Sequence, residues 1–267
     1  MNSISHLEHH CFKPAFVSLK FAIALTMLFA LTYQKVFAQG VVEPVQFNRK
    51  VWIEANDLGQ YAAAATQWDA EVKRLSKTNN TDGGPDTVLC VGSSSFRLWD
   101  TIEVDMAPYK VLRRAYGGAK FCDTAIHLPE LVYGLQYRAA IIFVANDISG
   151  SKSDKSPLEI QRLAELVIQK VQEQVPSAPV FVVAITPTPS RFEFWPSIQD
   201  ANLSLQELSV RNRNVHFVKT EEQYLFNGEP RIELFQSDRL HQNERGYSLW
   251  ASILKKSLKQ HVPAITR

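Results

Sequence analysis

Continuous apolar segments alternate with amphipathic ones along most of this 267-residue chain. Runs in which nearly every residue is apolar indicate strands that are covered on both faces, as in a parallel sheet. Such runs predict strands near residues 87–91 and 139–145, and the alternation along the chain predicts further strands near residues 109–113, 179–185 and 214–218. Helices are predicted over residues 59–76 and 158–174, and Pro176 ends the second. The alternation predicts an α/β fold, in which helices cover both faces of a parallel sheet.

The N-terminal region has the pattern of a secretory signal. The apolar run Phe21–Leu31 follows two lysines, and small residues around Ala38 suit a cleavage site, so residues 1–38 are predicted to be a signal peptide. An uncleaved anchor is the alternative, although the run is short for a membrane span. Residues 39–57 are predicted to form an irregular N-terminal arm that Trp52 docks, and residues 58–267 a single domain. The expected location is therefore periplasmic or extracellular.

The charge of the chain argues against a nucleic-acid partner. The formal net charge is +2, and the first 38 residues, with three lysines and one glutamate, carry all of it. The remaining chain is close to neutral, so no basic field attracts phosphates. Of the two cysteines beyond the signal, Cys90 lies in the first predicted strand, where a buried free thiol is favoured over a disulfide with Cys122.

A serine cluster follows the first predicted strand and is the leading candidate for chemistry. The apolar run ends at Gly92 and continues directly into Ser93, Ser94 and Ser95. The carboxyl edge of a parallel sheet is where open α/β folds bind ligands, and Ser94 is expected at that edge. A helix beginning there would also leave the Ser94 amide unpaired and able to stabilise negative charge. The alternative is that the serines only cap a helix.

A histidine near the C-terminus is the best candidate for a base. His241 follows Asp238 by three residues, a spacing that brings two side chains together on one helix-like turn. A carboxylate at one imidazole nitrogen leaves the other free to accept a serine proton. A surface ion pair is the alternative. Three other histidines lie beyond the signal. His216 lies in an apolar, strand-like run, which favours a structural role, and His127 and His261 lack an acidic partner at a useful spacing.

Two segments between Ser94 and His241 could stabilise an anion. The pair Gly117 and Gly118 follows the second predicted strand, where a backbone amide could approach a substrate closely, although an ordinary turn is the alternative. Asn146 follows the third strand and could donate its amide to an oxyanion at the same sheet edge. Asp147 is expected to hold the turn rather than to react.

Taken in order, these segments resemble the four sequence blocks of the SGNH hydrolases, also called GDSL esterases and lipases. The matching segments are Gly92-Ser93-Ser94-Ser95, Gly117-Gly118, Asn146-Asp147 and Asp238-x-x-His241. The stretch Phe96–Trp99 is similar to a branch that includes bacterial relatives of the platelet-activating-factor acetylhydrolase subunits. Three positions depart from the usual family pattern: Ser93 stands in place of Asp, Val144 in place of Gly, and Arg113 in place of Asn, which could alter how the loop below Gly118 is held.

The resemblance implies a three-layer α/β/α sandwich with a five-stranded parallel sheet of flavodoxin-like order. It implies Ser94 as nucleophile, His241 as base and Asp238 as its orienting acid. The implied oxyanion hole is formed by the amides of Ser94 and Gly118 and by the side chain of Asn146. No metal or organic cofactor is implied.

The implied activity is hydrolysis of a carboxylic ester through an acyl-enzyme, by an exported enzyme acting on a small-molecule, glycan or lipid ester. An acyltransferase with the same triad and a non-catalytic carbohydrate-binding protein with the same fold are the alternatives. Phe192, Phe194 and Trp195 could form a sugar-stacking wall or could only pack beneath a loop. Oligomeric state is not predicted.

Overall fold

A computed structural model describes residues 48–262, and the predicted signal peptide lies outside the described residues. The described region contains a parallel sheet of five strands in the order β2-β1-β3-β4-β5. The strands are β1 Thr87–Gly92, β2 Lys110–Ala115, β3 Ala139–Phe143, β4 Val180–Val183 and β5 Val215–Val218. All five predicted strands are present, and the predicted α/β fold with its flavodoxin-like strand order is confirmed.

Helices cover both faces of this sheet. The α-helices are α1 Arg49–Ala55, α2 Gly59–Ala65, α3 Asp69–Ser76, α4 Ser94–Arg97, α5 Ile102–Asp105, α6 Phe121–Val132, α7 Pro157–Gln174, α8 Trp195–Arg211, α9 Glu221–Tyr224 and α10 Glu244–His261. Short 3-10 helices span Thr66–Trp68, Pro189–Phe194 and Ile232–Leu234, and β6 Leu225–Phe226 pairs with β7 Glu229–Pro230. Among the described residues, no helix is both long and apolar enough to cross a bilayer.

Alternate residues of each strand belong to different cores, which explains the continuous apolar runs. Leu89 and Val91 of β1 pack with residues of α6, α7 and α8 on one face of the sheet. Val88 and Cys90 pack on the other face with α5 and α10. The central strands β1, β3 and β4 are buried along their whole length, so their sequences show no polar alternation. The edge strands β2 and β5 are partly exposed.

Two local predictions change in the structure, and two are confirmed. The arm is not irregular throughout, because Asn48 caps α1 by accepting hydrogen bonds from backbone amides of its first turn. Trp52 does dock this helix, since its Nε1 donates to the Ala125 carbonyl oxygen at 2.9 Å. The predicted helix over residues 59–76 is interrupted by the 3-10 turn at Thr66–Trp68. Cys90 and Cys122 are both free and buried, as the sequence favoured.

Gly92 ends β1 in a backbone conformation that requires glycine. Its φ is 149°, and a Cβ atom at this position would overlap the carbonyl oxygen of Phe143 on the neighbouring strand. The missing side chain lets β1 and β3 approach closely at their carboxyl ends, where Ser93 donates its amide to the same Phe143 oxygen at 3.1 Å. This contact sets the position from which Ser94 leaves the sheet.

Candidate active site

Two distant segments of the chain meet at the carboxyl edge of the sheet. The Oγ of Ser94, the first residue of α4, lies 2.9 Å from Nε2 of His241. The Nδ1 of His241 lies 2.6 Å from Oδ2 of Asp238. The structure thus forms a continuous hydrogen-bonded chain from a hydroxyl through an imidazole to a carboxylate.

Asp238 is held by its own turn as well as by the histidine. Its Oδ1 accepts hydrogen bonds from the amides of Leu240 at 2.9 Å and His241 at 3.0 Å, while Arg239 between them adopts a φ of 59°. Burial disfavours the charged carboxylate, but the hydrogen bonds from the His241 ring and from these amides outweigh burial and lower the pKa of Asp238. The carboxylate is therefore ionised around neutral pH, and its 46% exposure to solvent also favours the charged form.

The histidine segment is fastened to the start of α10. The amide of Gln236 donates to the His241 carbonyl oxygen at 2.7 Å. Asn243 caps α10 and donates its side-chain amide to the Phe235 carbonyl at 2.9 Å. Tyr247 of α10 reaches α4, where its hydroxyl donates to the Ser95 carbonyl at 3.0 Å. One helix therefore positions both the serine and the histidine, a link that the sequence did not reveal.

Among the described residues, the side chain of Arg113 forms no hydrogen bond with the loop below Gly118. Its Nη1 donates instead to carbonyl oxygens at the C-terminal end of α4, including those of Arg97 at 3.2 Å and Trp99 at 3.0 Å. Since α4 is only one turn long, these bonds add to the few that its carbonyls form with backbone amides. Arg113 therefore supports the short helix that begins at Ser94.

The amides of Ser94 and Gly118 are free to bind an anion. Within the described part of the chain, neither amide donates a hydrogen bond to another residue. Gly118 is exposed with a φ of 76°, and an added Cβ would lie 3.3 Å from the Trp68 ring. Glycine fits here because of both its conformation and its small size.

The side chain of Asn146 has partners at both ends of its amide. Its Nδ2 donates to the Ala119 carbonyl oxygen at 3.0 Å, and its Oδ1 accepts from Arg191 at 2.9 Å. Ala119 adjoins Gly118, so this bond links the loop after β3 to the loop after β2. Asn146 and Ser94 line the same cleft, as their positions after neighbouring strands predicted.

The chain is similar to several solved structures over most of its length. No family model and no curated protein matches the chain. Among solved structures, a candidate platelet activating factor from Streptococcus pneumonia is 20% identical, with a TM-score of 0.63 over 76% of this chain and 99% of that chain. A GDSL-like lipase from Bacteroides thetaiotaomicron is 16% identical, with a TM-score of 0.62 over 72% and 99%. A carbohydrate esterase family 3 protein from Talaromyces cellulolyticus is 13% identical, with a TM-score of 0.54 over 67% and 99%.

The chain has the SGNH (GDSL) hydrolase fold. The resemblance suggested by the four sequence blocks is confirmed at this level. The blocks follow β1, β2 and β3 and precede α10, and Ser94, Asn146 and His241 of these blocks line one cleft.

We call this the serine cleft; it is lined by Ser94, Asn146, Thr186, Arg191, Phe235 and His241 together with neighbouring apolar residues. It encloses about 30 Å³. The hydroxyls of Thr186 and Thr188 are buried without a hydrogen-bond partner in the described region. The cleft therefore offers a small space with polar groups in its wall.

The aromatic residues after β4 pack beneath a loop and do not form a sugar-stacking wall. Trp195 is buried in the core that includes α7 and α8, and Phe192 and Phe194 pack against that core. None of the three lines the serine cleft. Of the two alternatives drawn from the sequence, the structure supports packing.

The remaining described histidines lie away from the serine. His127 is fully buried, and its Nε2 lies 2.9 Å from the Ala65 carbonyl oxygen. His216 of β5 stacks on His261 with ring centroids 3.6 Å apart. Over residues 48–262, no group of three or more histidine, cysteine or acidic side chains is arranged to hold a metal ion.

Asp147 holds the loop that carries Asn146. Its two carboxylate oxygens accept from the amide of Phe121, the first residue of α6, at 3.0 and 3.2 Å. Lys155 lies 3.9 Å away. Burial nevertheless dominates and raises the pKa of Asp147 to about 6. The carboxylate thus connects the loop after β3 to α6, as its position in a turn predicted.

This raised pKa predicts a pH-dependent stability difference between the wild type and Asp147→Asn. An unfolded aspartate titrates near pH 4 and folded Asp147 near 6, so the wild type loses stability as pH rises across this window. The variant does not titrate and keeps an oxygen for the Phe121 amide. Its free energy of unfolding should therefore rise relative to wild type by up to about 1.4 kcal/mol per pH unit.

Urea unfolding at several pH values from 4 to 7 measures this difference. Asp200→Asn is the control, because it removes a carboxylate from an exposed position on α8. The raised pKa of Asp147 would be contradicted if the difference in unfolding free energy between Asp147→Asn and wild type stayed constant from pH 4 to 6.

Proposed function

We propose that this chain is a serine ester hydrolase of the SGNH family. The observation that carries the proposal is the hydrogen-bonded chain from Ser94 Oγ through His241 to Asp238. In this arrangement His241 accepts the serine proton through Nε2, and Asp238 holds the proton on Nδ1 and stabilises the resulting imidazolium. The SGNH fold of lipases and esterases supports this assignment.

The reaction proceeds in two balanced halves. Ser94 Oγ attacks the ester carbonyl carbon while its proton passes to His241, and the tetrahedral intermediate then expels the alcohol, which takes that proton. Water attacks the acyl-enzyme in the same way, releasing the carboxylic acid and restoring the serine. The amides of Ser94 and Gly118 and one N–H of Asn146 stabilise the oxyanion in both halves.

The serine cleft favours a short acyl group on a polar alcohol. Its enclosed volume of about 30 Å³ is small beside the roughly 300 to 1,000 Å³ typical of pockets for drug-sized ligands. Polar residues, among them Thr186 and Thr188, line the cleft and suit a substrate with a polar alcohol group. We therefore propose acetyl or similarly short esters, among them acetylated glycans, as substrates. The signal-like residues 1–38 support action outside the cytoplasm.

The test combines turnover with covalent labelling. Purified protein is incubated with p-nitrophenyl esters of two to twelve acyl carbons and with acetylated glycans, and the free acid is measured with and without a competing sugar acceptor. A fluorophosphonate probe followed by peptide mass spectrometry identifies the reactive serine. We expect the rate of hydrolysis to fall as the acyl chain of the ester lengthens, and we expect the probe to label Ser94. A label on another residue contradicts the assignment, and acyl-sugar in excess of free acid would indicate a transferase.

Asn146→Ala is expected to lower kcat by about 10² to 10³ with little change in KM, since an oxyanion donor acts mainly in the transition state. Initial rates with p-nitrophenyl acetate measure the effect. Asn56→Ala is the control, because this asparagine donates to the Trp52 carbonyl in the N-terminal segment. An equal loss of kcat in the two variants, or a change in KM alone, would show that Asn146 does not donate to the oxyanion.

A further inference from the structure

Arg191 contacts the loop that carries Asn146 rather than an acidic partner. It lies in the 3-10 turn Pro189–Phe194 that follows β4. Its Nη1 donates to the Ala145 carbonyl oxygen at 2.6 Å, and its Nη2 donates to the Asn146 side-chain oxygen at 2.9 Å. The two bonds use the fork of the guanidinium on two consecutive residues, a geometry that a single ammonium group cannot reproduce.

These contacts determine which way the Asn146 amide points. A guanidinium only donates hydrogen bonds, so the atom of Asn146 that faces Arg191 is the oxygen. A carbonyl only accepts, so the amide nitrogen faces Ala119. One of the two N–H groups is used by Ala119, and the second is left for the serine cleft, which Asn146 lines.

The turn that carries Arg191 is itself anchored on two sides. The amide of Ser190 donates to the Arg239 carbonyl oxygen at 3.0 Å, in the turn between Asp238 and His241. The Phe194 ring covers Gly150, where even an added Cβ would overlap it. The turn therefore connects the segment of the proposed base to the segment of the proposed oxyanion donor.

The charge of Arg191 is not neutralised by a direct partner. Over residues 48–262, no carboxylate forms an ion pair with its guanidinium. Burial lowers the pKa of Arg191, and the field of Asp154 opposes this change without offsetting it. A guanidinium remains protonated under such conditions, so a positive charge lies on the oxygen side of the Asn146 amide and polarises its N–H groups.

We infer that Arg191 is a positioning residue for ester hydrolysis: it holds the Asn146 amide with one N–H directed at the developing oxyanion. This inference rests on the proposed function, because it assigns Arg191 a part in the same site. Arg191 acts through Asn146, and its removal affects the transition state more than the binding of the ester.

A double-mutant cycle with p-nitrophenyl acetate tests the inference. Arg191→Ala is expected to lower kcat by about 10² with KM within about threefold of wild type, because a misplaced donor loses much of its effect. Adding Arg191→Ala to Asn146→Ala should cause little further loss, since the two residues act as one unit. Arg191→Lys keeps the charge without the fork and should stay at least tenfold below wild type. Added guanidinium ion should increase the rate of Arg191→Ala and not that of Asn146→Ala.

Arg162→Ala is the matched control, because Arg162 also donates to a backbone carbonyl, that of Asn56 at 3.3 Å. Its kcat should remain close to that of wild type.

Losses of kcat that add fully in the double variant would overturn the inference, and so would full turnover by Arg191→Ala. In both cases the esterase assignment stands. If Arg191→Ala does not fold, the cycle is repeated with Arg191→Lys and Asn146→Ala, and losses of kcat that add fully again overturn the inference. Equal ester turnover by wild type and Ser94→Ala would instead overturn the proposed function, and this inference with it.

Discussion

Replacing Ser94 by alanine is expected to lower ester turnover by about 10⁶, the scale seen when the nucleophile of a serine triad is removed. The hydroxyl lies 2.9 Å from the His241 nitrogen that would accept its proton. Alanine supplies no oxygen to attack the carbonyl, so no acyl-enzyme forms. The backbone amides remain, and the residual rate should be that of oxyanion stabilisation and substrate binding alone.

Initial rates with p-nitrophenyl acetate over a range of concentrations measure this loss, and the fluorophosphonate label should disappear from the variant. Ser95→Ala is the matched control. Ser95 occupies the next position of α4 and also lines the serine cleft. Its carbonyl oxygen accepts from Tyr247, and its hydroxyl has no hydrogen-bond partner within residues 48–262. Ser94 would be eliminated as the nucleophile if Ser94→Ala kept a turnover within tenfold of wild type. The same conclusion would follow if Ser94→Ala stayed active while Ser95→Ala lost its activity.

Replacing Asp238 by asparagine is expected to lower kcat by about 10⁴. The variant can keep the turn, because the asparagine oxygen can still accept from the amides of Leu240 and His241. Its side-chain nitrogen would then face the imidazole and donate to Nδ1, which places the ring proton on Nε2. In that tautomer His241 cannot accept the Ser94 proton, and the imidazolium also loses its counter-charge.

The measurement is kcat for wild type and Asp238→Asn across pH 5 to 9, with thermal unfolding as the check on folding. Glu233→Gln is the control, because this exposed carboxylate precedes the same segment and pairs with Arg231 at 2.9 Å. Its kcat should stay within about threefold of wild type, as expected for a surface pair. An Asp238→Asn variant as active as Glu233→Gln would show that the carboxylate does not orient the histidine.

The pH response of Asp238 has a defined sign. Its pKa is lowered in the folded protein, so the stability it contributes is present above the pKa of an unfolded aspartate. This contribution is lost as pH falls through the lower folded value. Around neutral pH the carboxylate stays ionised, and a decline in activity there cannot come from its protonation.

Periodicity and residue chemistry in the sequence were sufficient to predict the sheet and to select candidate residues. Strands buried on both faces leave uninterrupted apolar runs, so β1, β3 and β4 could be located from the apolar pattern of the sequence. Ser94, Asn146 and His241 could be selected because each belongs to a short local pattern: a serine after a strand, an amide after a strand, and an acid three residues before a histidine. Such patterns depend only on near neighbours.

Tertiary structure decided which distant groups hold these residues in place. Arg191 is 45 residues from Asn146 along the chain, Tyr247 is 152 residues from the Ser95 carbonyl it binds, and no local pattern marks either pair. Gly92 requires glycine because the backbone of another strand approaches it, and Arg113 supports α4 through carbonyls that only the fold brings near. The sequence determined which chemical groups are available and where strands deliver them. The fold alone determined how they are oriented, because orientation depends on contacts between segments far apart in the chain.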